Sequence, residues 1–309
     1  MKRGLWAVGL AIAVVSFIMF SVPASWAQGK GPIKIGWISP LSGGMAANGK
    51  DMLTGMELYL DEIGYQVAGR KIEFIVEDDE ANPATSLTKT RKLVEKDGVH
   101  IMTGGLMAST AYALAPYIDS KEIPTTYPTM SADDITQRKI PKWIVRTGWA
   151  SCQPHQPFAD YAYNVLKHRK IAVIAYDFAF GWECVGSFQK VFEDSGGKIL
   201  QKIWVPLTAQ DFSPYLSQIA KDADAVFAAF SGRQTVQFNK QYQEFGLKAK
   251  FPLLGNGTLT DEHALPSMGD EAIGVISALQ YSEALDNPAN KKFVKAFREK
   301  YKKAASYYS

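Results

Sequence analysis

Cysteine is scarce in this 309-residue chain: there are two, Cys152 and Cys184. No CxxC or HxxxH spacing accompanies them, which argues against a metal framework. In an oxidising compartment two thiols can pair, and the sequence leaves open whether these two stand close enough. The four histidines, His100, His155, His168 and His263, are scattered, and His155 alone lies near a cysteine. No GxSxG elbow and no HExxH occurs, so the commonest hydrolase signatures are missing. A charge excess is lacking too, with 34 basic against 31 acidic residues and no Lys/Arg-rich run. That leaves no basic field for nucleic acid. Beyond the first 27 residues no segment is long and apolar enough to span a membrane.

The composition, 47% hydrophobic and 21% charged, is that of a globular protein. The length exceeds what one core usually needs and favours two lobes. Residues 1–27 read as a cleavable signal peptide. Lys2 and Arg3 form the positive start, Leu5 to Phe20 is uncharged and apolar, and Ser25 and Ala27 are the small residues before a cut after Ala27. An uncleaved membrane anchor is the alternative, and the run is short for one. No cysteine lies near the cut, which excludes lipid attachment there. A periplasmic location follows.

The rest of the chain repeats a short β-branched run, a turn and an amphipathic stretch. Strands are expected at 33–38, 71–76, 99–103, 123–126 and 143–146, with helices at 52–63 and from Pro83 through 87–95. The pattern restarts with strands at 170–175, 198–204, 225–230, 251–254 and 274–278. Helices are expected between them at 182–194, 214–220 and 233–245, the first of these ended by Gly196-Gly197. Such alternation predicts an α/β fold with parallel sheets and helices on both faces. Lobe 1 is expected over 28–148 plus 281–309, C-terminally incomplete because the last stretch stops without a turn signal or further strand. Lobe 2 is expected over 149–280.

Ligands of open parallel sheets bind beyond the carboxyl ends of the strands, so the post-strand loops are the candidate site. They hold Ser42, Met107, Ser109, Thr110, Thr129 and Ser131, and the aromatics Tyr127, Trp149, Phe178, Phe180, Trp182 and Phe230. Apolar walls with a few fixed polar groups suit a small molecule, and hydroxyls with N–H groups at helix starts suit a carboxylate. Two motifs are set aside. Gly44 to Asp51 (GMAANGKD) resembles a phosphate loop but ends in Asp51 where a hydroxyl is needed, so it reads as a Gly-rich turn onto a helix. Glu77-Asp78-Asp79-Glu80 lacks calcium-loop spacing and reads as a solvated strand end. Nothing asks for a metal or a cofactor, and no nucleophile–base pair suggests an enzyme.

IKIGWISPLSG (33–43), NGKDMLTGMELYLDEI (48–63), IEFIVEDDEANPATSLTKTRKLVEKDGV (72–99), AYDFAFGWE (175–183) and DADAVFAAF (222–230) resemble the branched-chain and hydrophobic amino-acid-binding proteins of ABC importers. These are type I periplasmic binding proteins. The resemblance runs from about residue 30 to 309. It implies two Rossmann-like lobes joined by crossovers near 146–153 and 278–282. A ligand would be trapped between them by hinge closure, and a monomer would dock on a membrane permease. The family's carboxylate loop matches Gly105 to Thr110, with Ala108 at its Ser position and Ser109 beside it, and a second such loop matches Thr129 to Ser131. The aromatic that closes over the ligand matches Phe180, usually Tyr, and a further loop matches Phe230 to Gly232.

The resemblance also implies an acid near Gly255-Asn256-Gly257 to pair with an amino-acid ammonium, and this sequence has Asn256. Losing one partner of such a buried pair costs about 3–5 kcal/mol. The expected ligand is therefore a hydrophobic or aromatic carboxylate. The alternatives are a branched-chain amino acid whose ammonium meets Glu183 or Asp177, and a ligand sensor docking on a regulator.

Overall fold

The structure, a computed structural model, describes residues 31–309. The expected signal peptide and its cleavage site lie outside the described residues. Strand β1 (Ile33–Ser39) runs through a short turn at Gly43–Met45 into α1 (Ala46–Glu62). There follow β2 (Gln66–Val67), β3 (Arg70–Asp78), α2 (Pro83–Glu95), β4 (Ile101–Gly104) and α3 (Ala108–Lys121). Then come β5 (Thr125–Tyr127), α4 (Asp134–Gln137) and β6 (Ile144–Arg146). These strands form one sheet in the order β2-β3-β1-β4-β5-β6, parallel except for the small β2–β3 hairpin.

The chain then crosses into α5 (Cys152–Asn164), β7 (Lys170–Tyr176), α6 (Ala179–Asp194), β8 (Lys198–Val205) and α7 (Ser213–Leu216). It continues with β9 (Ala225–Ala229), α8 (Gln234–Glu244), β10 (Leu253–Asn256) and β11 (Ile276–Ala278). The second sheet, β11-β10-β9-β7-β8, is parallel throughout. A last helix, α9 (Pro288–Tyr301), returns to the first sheet. There Tyr301 donates its hydroxyl to the Thr54 carbonyl (2.9 Å), and Lys292 and Lys300 pair with Glu62 and Asp61 of α1. Among the described residues no helix is long and apolar enough to cross a membrane.

Strand β7 explains the two-faced core. Ile171 to Tyr176 is a continuous apolar run buried on both sides, as the centre of a parallel sheet requires. Ala172, Ile174 and Tyr176 pack on one face with Phe230 and Phe238. Ile171, Val173 and Ala175 pack on the other with Phe188 and Phe227, whose rings stack at 4.3 Å. Local signals set the helix ends. Asn82 caps α2 by accepting from the Ala84 and Thr85 N–H groups, with Pro83 at the first position. Gly196, at φ +99°, turns the chain after α6.

Two expectations are corrected, and the open question of the cysteines is answered. The helix at 214–220 stops at Leu216, because the Gln201 amide of β8 donates to the Gln218 carbonyl and accepts from the Ala220 N–H, drawing the chain onto the strand. The acids at 77–80 are not a solvated end. Glu77 pairs with Lys89 and Lys92, and Asp79 is fully buried, accepting from Ala81 N–H and the Ser86 hydroxyl. Both cysteines are free thiols: Cys152 opens α5 and accepts from the Gln137 amide, while Cys184 is buried among the α5–α6 contacts.

Candidate functional site

The parallel strands of both sheets stop facing a common cleft, and the loops that follow them form its walls. From the first sheet come Leu106, Met107 and Ala108 after β4, and Thr129 and Ser131 after β5. Trp149 stands on the crossover. From the second sheet come Phe178 and Phe180 after β7, Ser231 after β9 and Thr258 after β10. Tyr307 and Tyr308 close one side. The space enclosed is about 30 Å³, of the order of one water, so a larger ligand reaches it only when the walls part.

A larger groove of about 1090 Å³ lies elsewhere, between α1, α9 and the sheet face bearing Ile35, Trp37 and Ile101. Its walls are mainly apolar; it runs along the sheet face and reaches the ends of β5 and β6 at Thr129 and Thr147, sharing Thr129 and Tyr308 with the cleft. The cleft is the better candidate because polar groups converge there.

The first-sheet wall suits an anion. Helix α3 begins at Ala108 with no side chain capping it, so the N–H groups of its first turn lack intrahelical partners and carry the positive end of the helix dipole. Thr129 and Ser131 line the same cleft. The opposite wall is aromatic: Phe178 and Phe180 stack at 6.2 Å, and Trp149 meets Tyr307 edge-on at 5.7 Å while donating its indole N–H to the Tyr307 hydroxyl. Among the described residues, no charged side chain lines the cleft.

Supporting contacts fix these walls. The Arg146 guanidinium donates to the carbonyls of Met130, Ala132 and Trp149, tying the crossover to the loop that carries Ser131. Burial lowers the pKa of this guanidinium. Beneath the second-sheet wall the Tyr176 hydroxyl lies 2.8 Å from the Ser231 carbonyl and 2.6 Å from Gln234 Oε1. Gly181 lets α6 sit against β7, since a Cβ there would fall 2.0 Å from the Tyr176 carbonyl oxygen. His155, wholly buried under Trp149, has its pKa lowered to about 4 by burial and shares its Nδ1 with the Ser151 carbonyl.

Of the residues expected from the sequence, the structure brings Met107, Ala108, Thr129, Ser131, Trp149 and Phe180 to the cleft. It places the others elsewhere. Ser42 is exposed and bonds Asp78. Ser109 and Thr110 turn away along α3, and Tyr127 is buried in the core beneath it. Trp182 is half exposed on the far side of α6, donating to Asp177 Oδ1 (3.0 Å). Phe230 lies in the core of the second sheet.

Asn256 is corrected as well. It is buried, its Oδ1 accepting from the Phe230 N–H (3.0 Å) and its amide donating to Thr258 Oγ1. It ties the ends of β9 and β10 together instead of facing a ligand. Glu183 and Asp177 do not reach the cleft either. Sequence reasoning missed Leu106, Ser231, Thr258, Tyr307 and Tyr308. Leu106, Ser231 and Thr258 do lie in the expected post-strand loops.

Two parallel sheets with a cleft across their strand ends define a two-lobed binding protein, and the chain belongs to the periplasmic binding protein family. Residues 32–309 match the family described as "Periplasmic binding protein". The Leu/Ile/Val-binding protein homolog 6 of Brucella melitensis biotype 1 is 33% identical over 93% of this chain and 74% of its own length. A solute binding protein of an ABC transporter from Rhodopseudomonas palustris BisB5, in complex with 3,4-dihydroxy benzoic acid, is 33% identical. It has a TM-score of 0.84, covering 90% of this chain and 76% of that one. A second R. palustris solute binding protein, in complex with benzoate, is 30% identical with a TM-score of 0.85 over the same shares.

Proposed function

We propose that this protein is the periplasmic solute-binding component of an ABC importer and that it takes an aromatic carboxylate between its lobes. The observation that carries this reading is the asymmetry of the cleft. Helix-start N–H groups and hydroxyl-bearing residues stand on one wall and aromatic rings on the other, and among the described residues no acid lines the cleft to meet an ammonium. The benzoate and dihydroxybenzoate bound by the similar solute-binding proteins have this chemistry. Burying an ammonium without a counter-charge would be costly.

In this reading the carboxylate sits at the start of α3 beside Thr129 and Ser131. The ring lies against Phe178, Phe180 and Trp149. Lobe 1 comprises residues 28–148 and 281–309, lobe 2 residues 149–280, and hinge closure about the crossovers holds the ligand. A signal peptide cut after Ala27 delivers the protein to the periplasm. It acts as a monomer without turnover of its ligand and docks on an inner-membrane permease. The second reading is a branched-chain amino-acid-binding protein, supported by the naming of the Brucella relative.

Thermal unfolding of the mature protein with benzoate, 4-hydroxybenzoate, phenylalanine and leucine separates the two. A ligand at a hundred times its Kd adds about 2.7 kcal/mol. The proposed reading expects the benzoates to raise the midpoint and leucine to leave it unchanged. A shift with leucine alone overturns it.

A further inference from the structure

Behind Ser131 runs a chain of hydroxyls ending on a carboxyl. Glu183, on α6, accepts at Oε1 from the Tyr112 hydroxyl of α3 (2.5 Å) and from the Asp133 N–H (3.2 Å). Its Oε2 lies 2.9 Å from Ser151 Oγ. Ser151 Oγ is in turn 2.9 Å from Ser131 Oγ and 3.2 Å from the Ser131 carbonyl oxygen, so the hydroxyl is the nearer of the two acceptors, and Ser131 lines the cleft. All three side chains are buried or half-buried.

Ser151 has one hydroxyl hydrogen to share between these neighbours. An ionised carboxylate only accepts, and a bond to it is the stronger, so Ser151 then gives its hydrogen to Glu183. Ser131 gives its own to Ser151 and turns lone pairs toward the cleft. When Glu183 carries a proton on Oε2, the chain reverses. The acid donates to Ser151, Ser151 donates to Ser131, and the Ser131 hydrogen is free to point into the cleft.

We propose that Glu183 is a positioning residue that sets, through Ser151, the direction of the Ser131 hydroxyl, so that a ligand carboxylate is held more tightly when Glu183 is protonated. The inference rests on the cleft being a carboxylate site. Burial raises the Glu183 pKa to about 7, with Asp133 adding to the rise, so both states are populated near neutrality. The titratable and charged groups around it are Tyr112 on α3, Asp133 and Asp134 before and in α4, Arg146 on β6, Cys152 on α5 and Cys184 on its own helix. Arg138, Lys139 and Lys190 line the pocket beside it, Arg138 paired with Asp134 and Lys190 with Asp194. Arg146 spends its donors on the carbonyls of Met130, Ala132 and Trp149 and does not hold Glu183 ionised by direct contact. Glu183 also borders a separate polar pocket of about 590 Å³ with Asp133 and Cys152, through which it exchanges its proton with solvent.

By linkage, binding the anion must then draw a proton onto the protein. Calorimetric titration with benzoate, a carboxylate ionised throughout this range, at pH 6 and pH 8 in buffers of different ionisation heat tests this. Expected are roughly tenfold weaker binding at pH 8, the worth of one hydrogen bond to a charged group, and proton uptake on binding between these pH values. In Glu183→Gln the amide donates to Ser151 permanently, so binding should be as tight at pH 8 as at pH 6. Ser151→Ala breaks the chain with Glu183 in place and should also remove the pH dependence, which keeps the test open if the first variant folds poorly. Equal benzoate affinity at both pH values in the wild-type protein, or a pH dependence surviving in either variant, overturns the proposal. Failure to bind any aromatic carboxylate at either pH overturns the reading of the cleft and the proposal with it.

Discussion

The hydroxyl of Tyr176 lies 2.8 Å from the carbonyl oxygen of Ser231, so the last residue of β7 supports from beneath the loop that follows β9. Tyr176→Phe removes the one hydroxyl hydrogen that this buried carbonyl and Gln234 Oε1 share. The expected loss is about 1–3 kcal/mol in urea unfolding, together with weaker benzoate binding, because the Ser231 wall loses its anchor. Unchanged affinity with reduced stability would confine Tyr176 to the core.

Phe180 is half-buried and stacks on Phe178. Phe180 also packs against the cores of both lobes, so Phe180→Ala removes ring contact with the ligand and some packing of the fold. Benzoate affinity should fall roughly tenfold or more, the worth of an aromatic side chain's apolar contact. The unfolding midpoint without ligand should fall as well, and the conservative Phe180→Leu should restore more of the stability than of the affinity. Titration calorimetry beside a thermal melt reads both.

Asn256→Asp tests whether an acid at this position would recruit an amino acid. The new carboxylate would lie buried beside Thr258, whose hydroxyl already donates to the Phe230 carbonyl (2.9 Å). A buried, under-satisfied charge should destabilise the protein by about 1–3 kcal/mol and confer no leucine binding. Leucine binding by this variant would return Asn256 to the ligand site.

Much of this was legible in the sequence. The strand runs and the rule that ligands gather at strand ends led to Met107, Thr129, Ser131, Trp149 and Phe180, and the family resemblance led to Ala108. The misses follow from periodicity and tertiary contact. Ser109 and Thr110 are turned about 100° and 200° round α3 from Ala108, and Trp182 is turned likewise from Phe180, so sharing a loop or helix start did not mean sharing a face. Phe230 follows β9 into the core. Asn256 has the position expected of a ligand group, but its amide is consumed by neighbours that no local pattern reveals. Tyr307 and Tyr308 reach the cleft only because α9 folds back on α1.

Asp79 gives the fold a pH dependence of its own. Burial raises its pKa to about 6, above the unfolded value of about 3.9. The folded state therefore favours the neutral acid. Its contribution is fullest below about pH 4, shrinks as pH rises to about 6 and is lost above that. Asp79→Asn keeps an acceptor for Ala81 N–H and gains a donor for Ser86. It should be more stable than wild type by up to about 3 kcal/mol at pH 7.5, with little difference at pH 4. Denaturant unfolding at the two pH values measures this, and a gap of equal size at both would assign the effect to something other than ionisation.

With both cysteines free, reducing agent should leave the melting temperature unchanged. Burial pushes the Cys152 thiol up to about 11 and the Cys184 thiol well above the usual thiol range. Since the thiolate is the reactive form, a thiol reagent at pH 7.5 should label the folded protein slowly and take up two equivalents once it is denatured. A reductant-dependent melt would point to a disulfide.

The strands meet the cleft only where they stop. Their pairing is written in backbone hydrogen bonds and buried aliphatic side chains, while the groups that face a guest sit one to three residues further on. Inheritance of the scaffold and choice of cargo are thereby uncoupled. A lineage can exchange one nutrient for another by editing a handful of loop codons, with the architecture that opens and shuts carried forward untouched.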